Sequence, residues 1–409
     1  MRIATILPLI LGCALAACSS GQKTDADGFV VDPEFEKKLQ QQLLDAQPGT
    51  VIAIPAGKYA LSRSLSLTGN GVTIKGAGMD STILSFARQT SGAEGMLVTG
   101  DDFTLEDLAI EDSKGDALKI NGTKNAVMRR VRAEWTGGAK TTNGAYGLYP
   151  VQVTNVLIEG SVVKGASDAG IYVGQSTNIV VRSNHAEDNV AGIEIENSSN
   201  ADVYDNTTTG NTGGILVFNM PNLPVPGSRT RVFKNIVKAN NHANFGAAGS
   251  AVSSVPPGSG VIVNSNDDVE IFANDIADNK TANVIISSYY STGFDTKKGV
   301  SAAYDPYPEN IYIADNDFSG GGTDPGAKYA PLKALAGGQL PAILWDGFRN
   351  PKVADPGICV QNGDAQLLNA DGPGKFANAR IDQTVNCAPK ARLQAVTLPA
   401  SMTKDSGTK

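Results

Sequence analysis

Two glutamates spaced two residues apart are the clearest candidates for chemistry in this 409-residue sequence. Glu194 and Glu196 alternate with Ile193 and Ile195, and such alternation is typical of a β-strand with one buried face. Both carboxylates would then point outward from the same side of one strand. The pair could bind a cation such as Ca²⁺ or act as general acid and base. A solvated face without function is the simpler interpretation.

Other catalytic groups are scarce. The only two histidines, His185 and His242, lie in no recognisable motif, and the sequence has no phosphate-binding loop, Ser-His-Asp pattern or zinc cluster. The net charge of −7 argues against a nucleic-acid surface, which needs a clustered basic face. We therefore assign no residue to catalysis, and we predict no resident metal or cofactor apart from the Ca²⁺ that the glutamates could bind.

Aromatic residues suggest a second kind of site. Outward positions of several strands carry large apolar residues, including Leu216, Ile262 and Ile285, and long insertions at about 219–229, 240–259 and 288–309 could cover them. One interpretation is a local core beneath these loops. The other is an aromatic-lined groove that holds a sugar chain or a partner segment. The residues of this groove would be Tyr149, Tyr172, Phe218, Tyr289, Tyr290, Tyr304 and Tyr307.

A repeated pattern defines the elements that must position these side chains. Segments such as 178–184, 200–206 and 268–274 share alternating apolar residues and a final asparagine, and the shortest intervals between repeats are 22 or 23 residues. One repeat cannot bury its own apolar face, so successive repeats must stack. Asparagine tolerates a left-handed turn, and stacked amides can hydrogen-bond between repeats. The asparagines expected at this corner are Asn184, Asn206, Asn235, Asn274 and Asn316.

This pattern resembles the right-handed parallel β-helix (PbH1) repeat proteins of the pectate-lyase-like superfold, in which asparagines stack at one corner. The resemblance implies an all-β, single-stranded right-handed parallel β-helix of about ten coils. We expect the helix and its N-terminal cap to span residues 32–350, a C-terminal cap to span 351–395, and a disordered tail to span 396–409. The capping helix would begin at Asp32-Pro33 and would pack Phe35, Leu39, Leu43 and Leu44.

The first residues have the features of a lipoprotein signal. The apolar run from Ile3 to Leu15 ends in Leu15-Ala16-Ala17-Cys18, which resembles a bacterial lipobox. Residues 1–17 would be removed, Cys18 would carry the lipid, and residues 18–31 would form a flexible tether. Ser19 suggests the outer membrane, with the protein facing the periplasm or the cell surface. The lipid would be the only membrane anchor.

The remaining cysteines fit this location. Cys13 would leave with the signal peptide and Cys18 would be lipidated, so Cys359 and Cys387 remain. In an oxidising compartment two remaining cysteines are expected to form a disulfide, and two separate free thiols are the alternative.

Four longer segments resemble a narrower family within the β-helix proteins. The segments 214–227, 255–261, 304–309 and 357–364 resemble a family of bacterial β-helix lipoproteins usually found beside a di-haem c-type cytochrome, and no activity is established for that family. The resemblance implies an envelope redox protein as partner. We therefore expect a non-enzymatic binding or assembly scaffold for such a protein.

The alternative is a polysaccharide-binding or polysaccharide-modifying protein of the lyase or epimerase type. Asp305-Pro306-Tyr307 resembles the Asp-Pro-His signature of mannuronan epimerases, but tyrosine replaces the histidine needed for proton abstraction. An enzyme would use Glu194 and Glu196, and burial of both beneath a loop would exclude them.

Overall fold

The computed structural model describes residues 23–293, 300–301 and 304–404. The predicted signal peptide (residues 1–17) and the predicted lipid-bearing Cys18 lie outside the described residues. Within the described part of the chain, no helix has the length and apolar character needed to cross a membrane.

Short strands separated by turns account for most of the regular structure. In chain order they are β1 Val51–Ala53, β2 Gly57–Ala60, β3 Arg63–Leu67, β4 Thr73–Lys75, β5 Thr82–Ser85, β6 Ser91–Val98, β7 Phe103–Glu111, β8 Leu118–Asn121, β9 Lys124–Glu134, β10 Tyr146–Val151, β11 Thr154–Glu159, β12 Val162–Lys164, β13 Ala169–Gly174, β14 Thr177–Arg182, β15 His185–Glu187, β16 Ala191–Glu196, β17 Ser199–Tyr204, β18 Thr207–Thr209, β19 Gly213–Phe218, β20 Ser228–Phe233, β21 Ile236–Lys238, β22 Ser259–Asn264, β23 Asp267–Phe272, β24 Asp275–Ala277, β25 Ala282–Ser287, β26 Ile311–Ala314, β27 Asp317–Ser319, β28 Ile343–Trp345, β29 Cys359–Gln361, β30 Leu367–Asn369 and β31 Arg380–Ile381. The helices are α1 Phe35–Asp45, α2 Gly326–Leu335 and α3 Ala400–Thr403, and 3₁₀ turns span Ala251–Ser254, Tyr289–Thr292 and Gln383–Val385.

The strands form three faces of a right-handed parallel β-helix. A typical coil consists of β14, β15 and β16, which pair in parallel with β17, β18 and β19 of the next coil. We name the faces that contain β14, β15 and β16 sheet 1, sheet 2 and sheet 3. Sheet 3 has 12 strands, so the stack has about 12 turns rather than the ten expected. Its strand β30 pairs in parallel with β28 and carries the helix past the predicted boundary at residue 350.

Alternating apolar side chains fill the interior of the coils. In sheet 1, Val156 pairs with Ile179 of the next coil, and Ile179 pairs with Ala201. These side chains are fully buried, as the alternation predicts. Each buried Val or Ile contributes about 1.5–3 kcal/mol relative to an exposed one, so the continuous column of such residues is the main source of stability.

Asparagine amides join the coils at the corner between sheets 1 and 2. Each amide nitrogen donates to the amide oxygen of the next coil, at 3.0 Å from Asn184 to Asn206 and 2.9 Å from Asn206 to Asn235. The series continues through Asn274 and Asn316 to Asn362. The left-handed backbone that we expected of these asparagines belongs instead to the residue before each one: Ser183, Asp205, Lys234, Ala273 and Asp315. The amide hydrogen bonds therefore explain the asparagines.

A second buried ladder occupies the corner between sheets 2 and 3. Asn189 donates to Asn211 at 3.0 Å, Asn211 to Asn240 at 2.9 Å, and Asn240 to Asn279 at 3.2 Å. The sequence analysis did not identify this ladder. Two corners of each central coil are therefore fixed by the same amide chemistry.

The N-terminal end of the stack is covered by α1. Leu39 and Leu43 are buried against the core, and Phe35 stacks on Tyr59 with ring centroids 3.8 Å apart. Leu44, which we expected on this face, is 59% exposed because it follows Leu43 by about 100° around the helix. The predicted tether is also partly ordered, since Val30 donates its backbone N–H to the Lys58 carbonyl and Phe29 is buried.

The C-terminal segment returns along the outside of sheet 1. Cys359 and Cys387 form the predicted disulfide, and residues 388–404, here called the strap, follow it. The backbone N–H of Leu393 donates to Glu270 (2.8 Å), that of Val396 donates to Asp202 (3.1 Å), and Arg129 donates to the Met402 carbonyl (2.9 Å). The prediction of a disordered tail is therefore wrong for residues 396–404, because apolar strap residues pack on Val127, Leu157 and Val180.

Candidate functional site

The outer face of sheet 3 is covered by the loops of the chain itself. Leu216, Ile262 and Ile285 are buried beneath Val255 and Leu332, which belong to an insertion and to α2. This arrangement is the local core that we considered as the first interpretation of the apolar stripe. The stripe is consequently not available to a partner protein.

Both candidate glutamates lie inside this covered layer. Glu194 is 1% exposed between Tyr172 and Leu216 of the neighbouring rungs, and Glu196 is 9% exposed. The Tyr172 hydroxyl donates a hydrogen bond to Glu196 at 2.7 Å. The two carboxylates do share one side of the strand, but outward from the sheet does not mean exposed to solvent here. The buried positions fit neither the solvated face that we considered the simpler interpretation nor the alternative contact with a polysaccharide or a hydrated Ca²⁺.

The glutamates belong to a larger group that we call the acid–tyrosine cluster: Asp116, Asp168, Glu194, Glu196, Tyr146, Tyr149 and Tyr172. The rings of Tyr146, Tyr149 and Tyr172 contact one another with centroids 4.5–5.0 Å apart. The sequence analysis missed Asp116, Asp168 and Tyr146. A usable signal existed, because each aspartate stands just before a strand of sheet 3.

Burial shifts the acidity of these groups. It raises the pKa of Asp168 to about 8, with added repulsion from Glu196 and Asp116, and it raises the pKa of Asp116 to about 6. Burial and the neighbouring carboxylates raise the pKa of Glu194 well above its usual range. Neither Glu194 oxygen has a hydrogen-bond partner among the described residues. Several carboxyl groups of the cluster therefore hold protons near neutral pH.

The cluster reaches solvent at one end. Lys119 and Tyr149 are paired residues of β8 and β10, and both are half-buried. The Lys119 ammonium lies 5.1 Å from the centroid of the Tyr149 ring. Asp116 lies close enough for Lys119 to lower its pKa against the effect of burial. A cation, a phenol and a carboxyl group thus meet at this edge.

Four of the predicted groove residues meet elsewhere, in a cleft of about 470 Å³ that we call the tyrosine cleft. Tyr289 and Tyr304 contact edge to face at 5.5 Å, and Tyr290 and Tyr307 lie 5.6 Å apart. The predicted groove is therefore divided, because Tyr149 and Tyr172 belong to the acid–tyrosine cluster and Phe218 is buried in the local core.

Polar groups complete the tyrosine cleft. Asp305 accepts hydrogen bonds from the Asn350 amide at 3.2 Å and from the Tyr307 backbone N–H at 3.0 Å. Lys352 lines the same cleft, and Tyr290 is 40% exposed. The site thus offers aromatic surface, a carboxylate, an amide and an ammonium group to a ligand.

The described residues contain no group of three or more His, Cys, Asp or Glu side chains arranged to hold a metal ion. The acid–tyrosine cluster has several carboxyl groups, but burial raises the pKa of Asp168 and Glu194 and disfavours the charged forms that would bind a cation. This chemistry does not fit the Ca²⁺ that the glutamate pair suggested.

Comparison with known proteins agrees on the architecture. Residues 66–229 match the family model described as right handed beta helix region, which defines the class of fold. A search of curated proteins found no significant match.

Solved structures with similar coils include two A-modules of Azotobacter vinelandii mannuronan C-5 epimerases, AlgE4 and AlgE6. The AlgE4 module is 18% identical with a TM-score of 0.48, and the match covers 77% of this chain and 86% of that module. The AlgE6 module is 17% identical with a TM-score of 0.47, covering 77% and 84%. A PL6 alginate lyase in complex with a trisaccharide is 15% identical with a TM-score of 0.44, covering 71% and 70%. At these identities we transfer no activity to the present chain.

Proposed function

We propose that the protein binds a polysaccharide chain in the tyrosine cleft. The observation that carries this proposal is the convergence of Tyr289, Tyr290, Tyr304 and Tyr307 on one cleft of about 470 Å³. That volume lies in the range of small-ligand sites, and a chain could enter it with one or two sugar units.

The chemistry of the cleft suits a carbohydrate. Flat tyrosine rings offer apolar faces for sugar rings and lose little side-chain entropy on binding. Asn350, Lys352 and Asp305 can exchange hydrogen bonds with hydroxyl groups, and their different charges allow selection among sugars. Proline at positions 306 and 351 limits the backbone freedom of the two segments that carry these groups.

The proposal is tested with the chain from Ser19 to Lys409, which contains every described residue. Binding to a panel of neutral and acidic bacterial polysaccharides is measured by titration calorimetry. We expect Tyr307→Ala with Tyr290→Ala to weaken binding at least tenfold while the fold is kept. The matched control is Phe233→Ala, which removes a half-exposed ring from the aromatic stack on sheet 1. Equal binding by both variants would refute the proposal.

A second candidate function is modification of uronate-containing chains at the Lys119 edge of the acid–tyrosine cluster. The observation that favours it is the meeting of Lys119, Tyr149 and Asp116, whose raised pKa of about 6 suits general acid–base catalysis. Lys119 could neutralise the uronate carboxylate while Asp116 removes the C5 proton. The C4–O4 bond would then break as the C4–C5 double bond forms, and Tyr149 would protonate the departing oxygen of the 4-linked sugar.

This second candidate has its own assay. Unsaturated uronate is detected by its ultraviolet absorbance after incubation with acidic polysaccharides, and proton exchange at C5 reports epimerisation. Asp116→Asn and Lys119→Met should abolish either signal, whereas Glu94→Gln, on a neighbouring half-buried carboxylate, should retain it. A complete lack of turnover on all uronate polymers would leave binding as the function.

The scaffold role and its c-type cytochrome partner stay predictions from the resemblance. The apolar stripe that first suggested a partner surface is buried under α2 and the loops. A partner would therefore have to bind the outside of those loops. The lipid anchor and the envelope location are likewise predictions, and the polysaccharide proposal is compatible with both.

A further inference from the structure

A separate apolar cavity of about 270 Å³ lies beside the tyrosine cleft, above the outer face of sheet 3. Ile285 and Leu344, from β25 and β28, form its floor. Tyr329 of α2, Phe348 and Phe376 form its walls. The proposed binding of a sugar chain does not use this space, because its lining offers few groups that could bond to hydroxyls.

The charged residues at the cavity are already engaged. Asp346 accepts hydrogen bonds from the Ser288 backbone N–H (2.6 Å), the Ser288 and Ser291 hydroxyls (both 2.7 Å), and the Phe348 backbone N–H (3.1 Å). The Lys328 ammonium donates to the Ser291 carbonyl at 3.2 Å. A ligand in this cavity would therefore gain mainly from burial of apolar surface.

The cavity and the tyrosine cleft share one wall, Tyr290. On the cavity side its ring stacks on Phe348 at 5.2 Å, and on the cleft side it lies 5.6 Å from Tyr307. Because the two spaces adjoin at this ring, which is 40% exposed, one ligand could lie across its edge with a sugar in the cleft and an attached apolar group in the cavity.

The cavity adjoins a second apolar space along the outer face of sheet 3. A smaller space of about 40 Å³ next to Phe218 and Ile262 shares Ile285 and Tyr329 with it. The two spaces together extend over β22, β25 and β28, and neighbouring strands are spaced by about 4.8 Å. A chain-like apolar group fits this shape better than a compact ring system.

We infer that the site recognises a carbohydrate carrying an acyl chain, with the sugar in the tyrosine cleft and the chain in the adjoining cavity. This inference rests on the proposed function and adds the substrate class. The acylated sugar could be part of an ester-bearing polysaccharide or of a glycolipid, since both present the same chemistry to the site.

The test uses alkyl glucosides of increasing chain length, below their micelle concentrations, with methyl glucoside as reference. Binding to the chain from Ser19 to Lys409 is followed by calorimetry and by displacement of the apolar dye N-phenyl-1-naphthylamine. We expect affinity to rise up to about fourfold per added CH₂ until the cavity is full. An affinity independent of chain length would overturn the inference, and this measurement needs no variant.

A cavity-filling variant separates this inference from the proposed function. Ala370 lines the apolar cavity and not the tyrosine cleft. Ala370→Leu should abolish the chain-length dependence and leave binding of unsubstituted polysaccharide unchanged, provided that circular dichroism shows a native fold. Loss of polysaccharide binding in the Tyr290→Ala, Tyr307→Ala protein, without any alkyl effect in the unmodified protein, would uphold the proposed function and reject the acyl site.

The natural source is distinguished by two further probes, alkali-de-esterified polysaccharide and glycolipid vesicles. Binding that is lost on de-esterification indicates an acylated polysaccharide, and binding to the vesicles indicates a glycolipid. Either result supports the inference, whereas indifference to both probes contradicts it.

Discussion

The surroundings of Glu194 disfavour the ionised form of its side chain. Its carboxylate is buried among tyrosines and other acids and lacks a hydrogen-bond partner among the described residues. A buried polar group without a partner destabilises the folded state by about 1–3 kcal/mol. Substitutions that would remove this destabilisation are readily found. The presence of glutamate at this position therefore suggests that it contributes to function.

Replacement of Glu194 by leucine should therefore stabilise the protein. We expect the free energy of unfolding at pH 7 to rise by about 1–3 kcal/mol, because leucine extends the apolar row formed by Leu216 and Ile262. Urea denaturation measures the change. Glu187→Gln, at a half-exposed position in the same coil, is the control and should change stability by less than about 1 kcal/mol. Destabilisation by Glu194→Leu would contradict the prediction.

The raised pKa of Asp168 predicts how the stability of the fold depends on pH. Burial raises this pKa from 3.8 to about 8, so the folded protein holds a proton that the unfolded chain releases above about pH 4. The resulting contribution to stability is largest at low pH and is lost as pH rises towards 8. Asp168→Asn should therefore gain stability relative to the parent by up to about 1.4 kcal/mol per pH unit between pH 5 and 8.

Denaturant titrations of both proteins at several pH values provide the measurement. The difference between the two curves isolates Asp168 from the other carboxyl groups, including Glu196 and Asp116, that face it. Parallel curves would show that Asp168 keeps its ordinary pKa.

At the scale of single residues, the sequence predicted which side of a strand a side chain leaves better than it predicted whether that side chain is buried. The alternation around Glu194 and Glu196 correctly indicates that both leave the strand on one side. Burial depends on Val255 and Leu332, which are distant in the sequence and follow no repeat. The pairing of Lys119 with Tyr149 also requires the register between coils, which local patterns do not supply.

At the scale of the elements, the positions of the ladder asparagines are the sequence feature that best predicts where each coil turns. Successive residues of the first ladder are separated by 22, 29, 39 and 42 residues, and insertions change the interval without disturbing the corner. The second ladder has equal intervals of 22, 29 and 39 residues. It was missed because its strands in sheet 2 are only three residues long and give little alternation.

Loss of one ladder residue should be costly. Asn235 accepts two hydrogen bonds from Asn206 and donates one each to the Val203 carbonyl and the Asn274 amide oxygen. Asn235→Ala would leave these buried groups unpaired. We therefore expect the free energy of unfolding, measured by thermal or urea denaturation, to fall by at least about 2 kcal/mol.

A matched control is Asn241→Ala, near the protein surface. Its side chain makes two hydrogen bonds, to the Asp278 carbonyl and the Lys280 N–H, and water can replace them. We expect a loss below about 1 kcal/mol. Similar losses at Asn235 and Asn241 would show that the ladder adds no special stability.

At the scale of the whole molecule, the predicted lipid anchor at Cys18 would hold the cleft close to a membrane. Cys18→Ser should move the protein from the membrane fraction to the soluble fraction and remove incorporation of labelled fatty acid. Cys13→Ser is the matched control, because the same change in the signal sequence should leave lipidation intact. Retention of label in the Cys18→Ser protein would disprove the anchor.

The strap links parts of the stack that would otherwise be independent. In a repeat protein each coil contacts only its neighbours, so the ends can open separately. The strap contacts at Glu270 and Arg129 join residues separated by 123 and 273 positions in the sequence. Removal of residues 388–409 should therefore broaden thermal unfolding or divide it into steps, as followed by calorimetry. An unchanged single transition would show that the coils cooperate without the strap.

These contacts also impose an order on chain assembly. The strap is synthesised after every coil that it touches, so its binding surface on sheet 1 stays open while the chain is being made. Because contacts so distant in sequence form slowly, the nascent protein passes through a stage with complete coils and an uncovered apolar flank. The strap, residues 388–404, thus binds only to a finished stack, and a chain that ends before it would expose this apolar flank to proteases and chaperones.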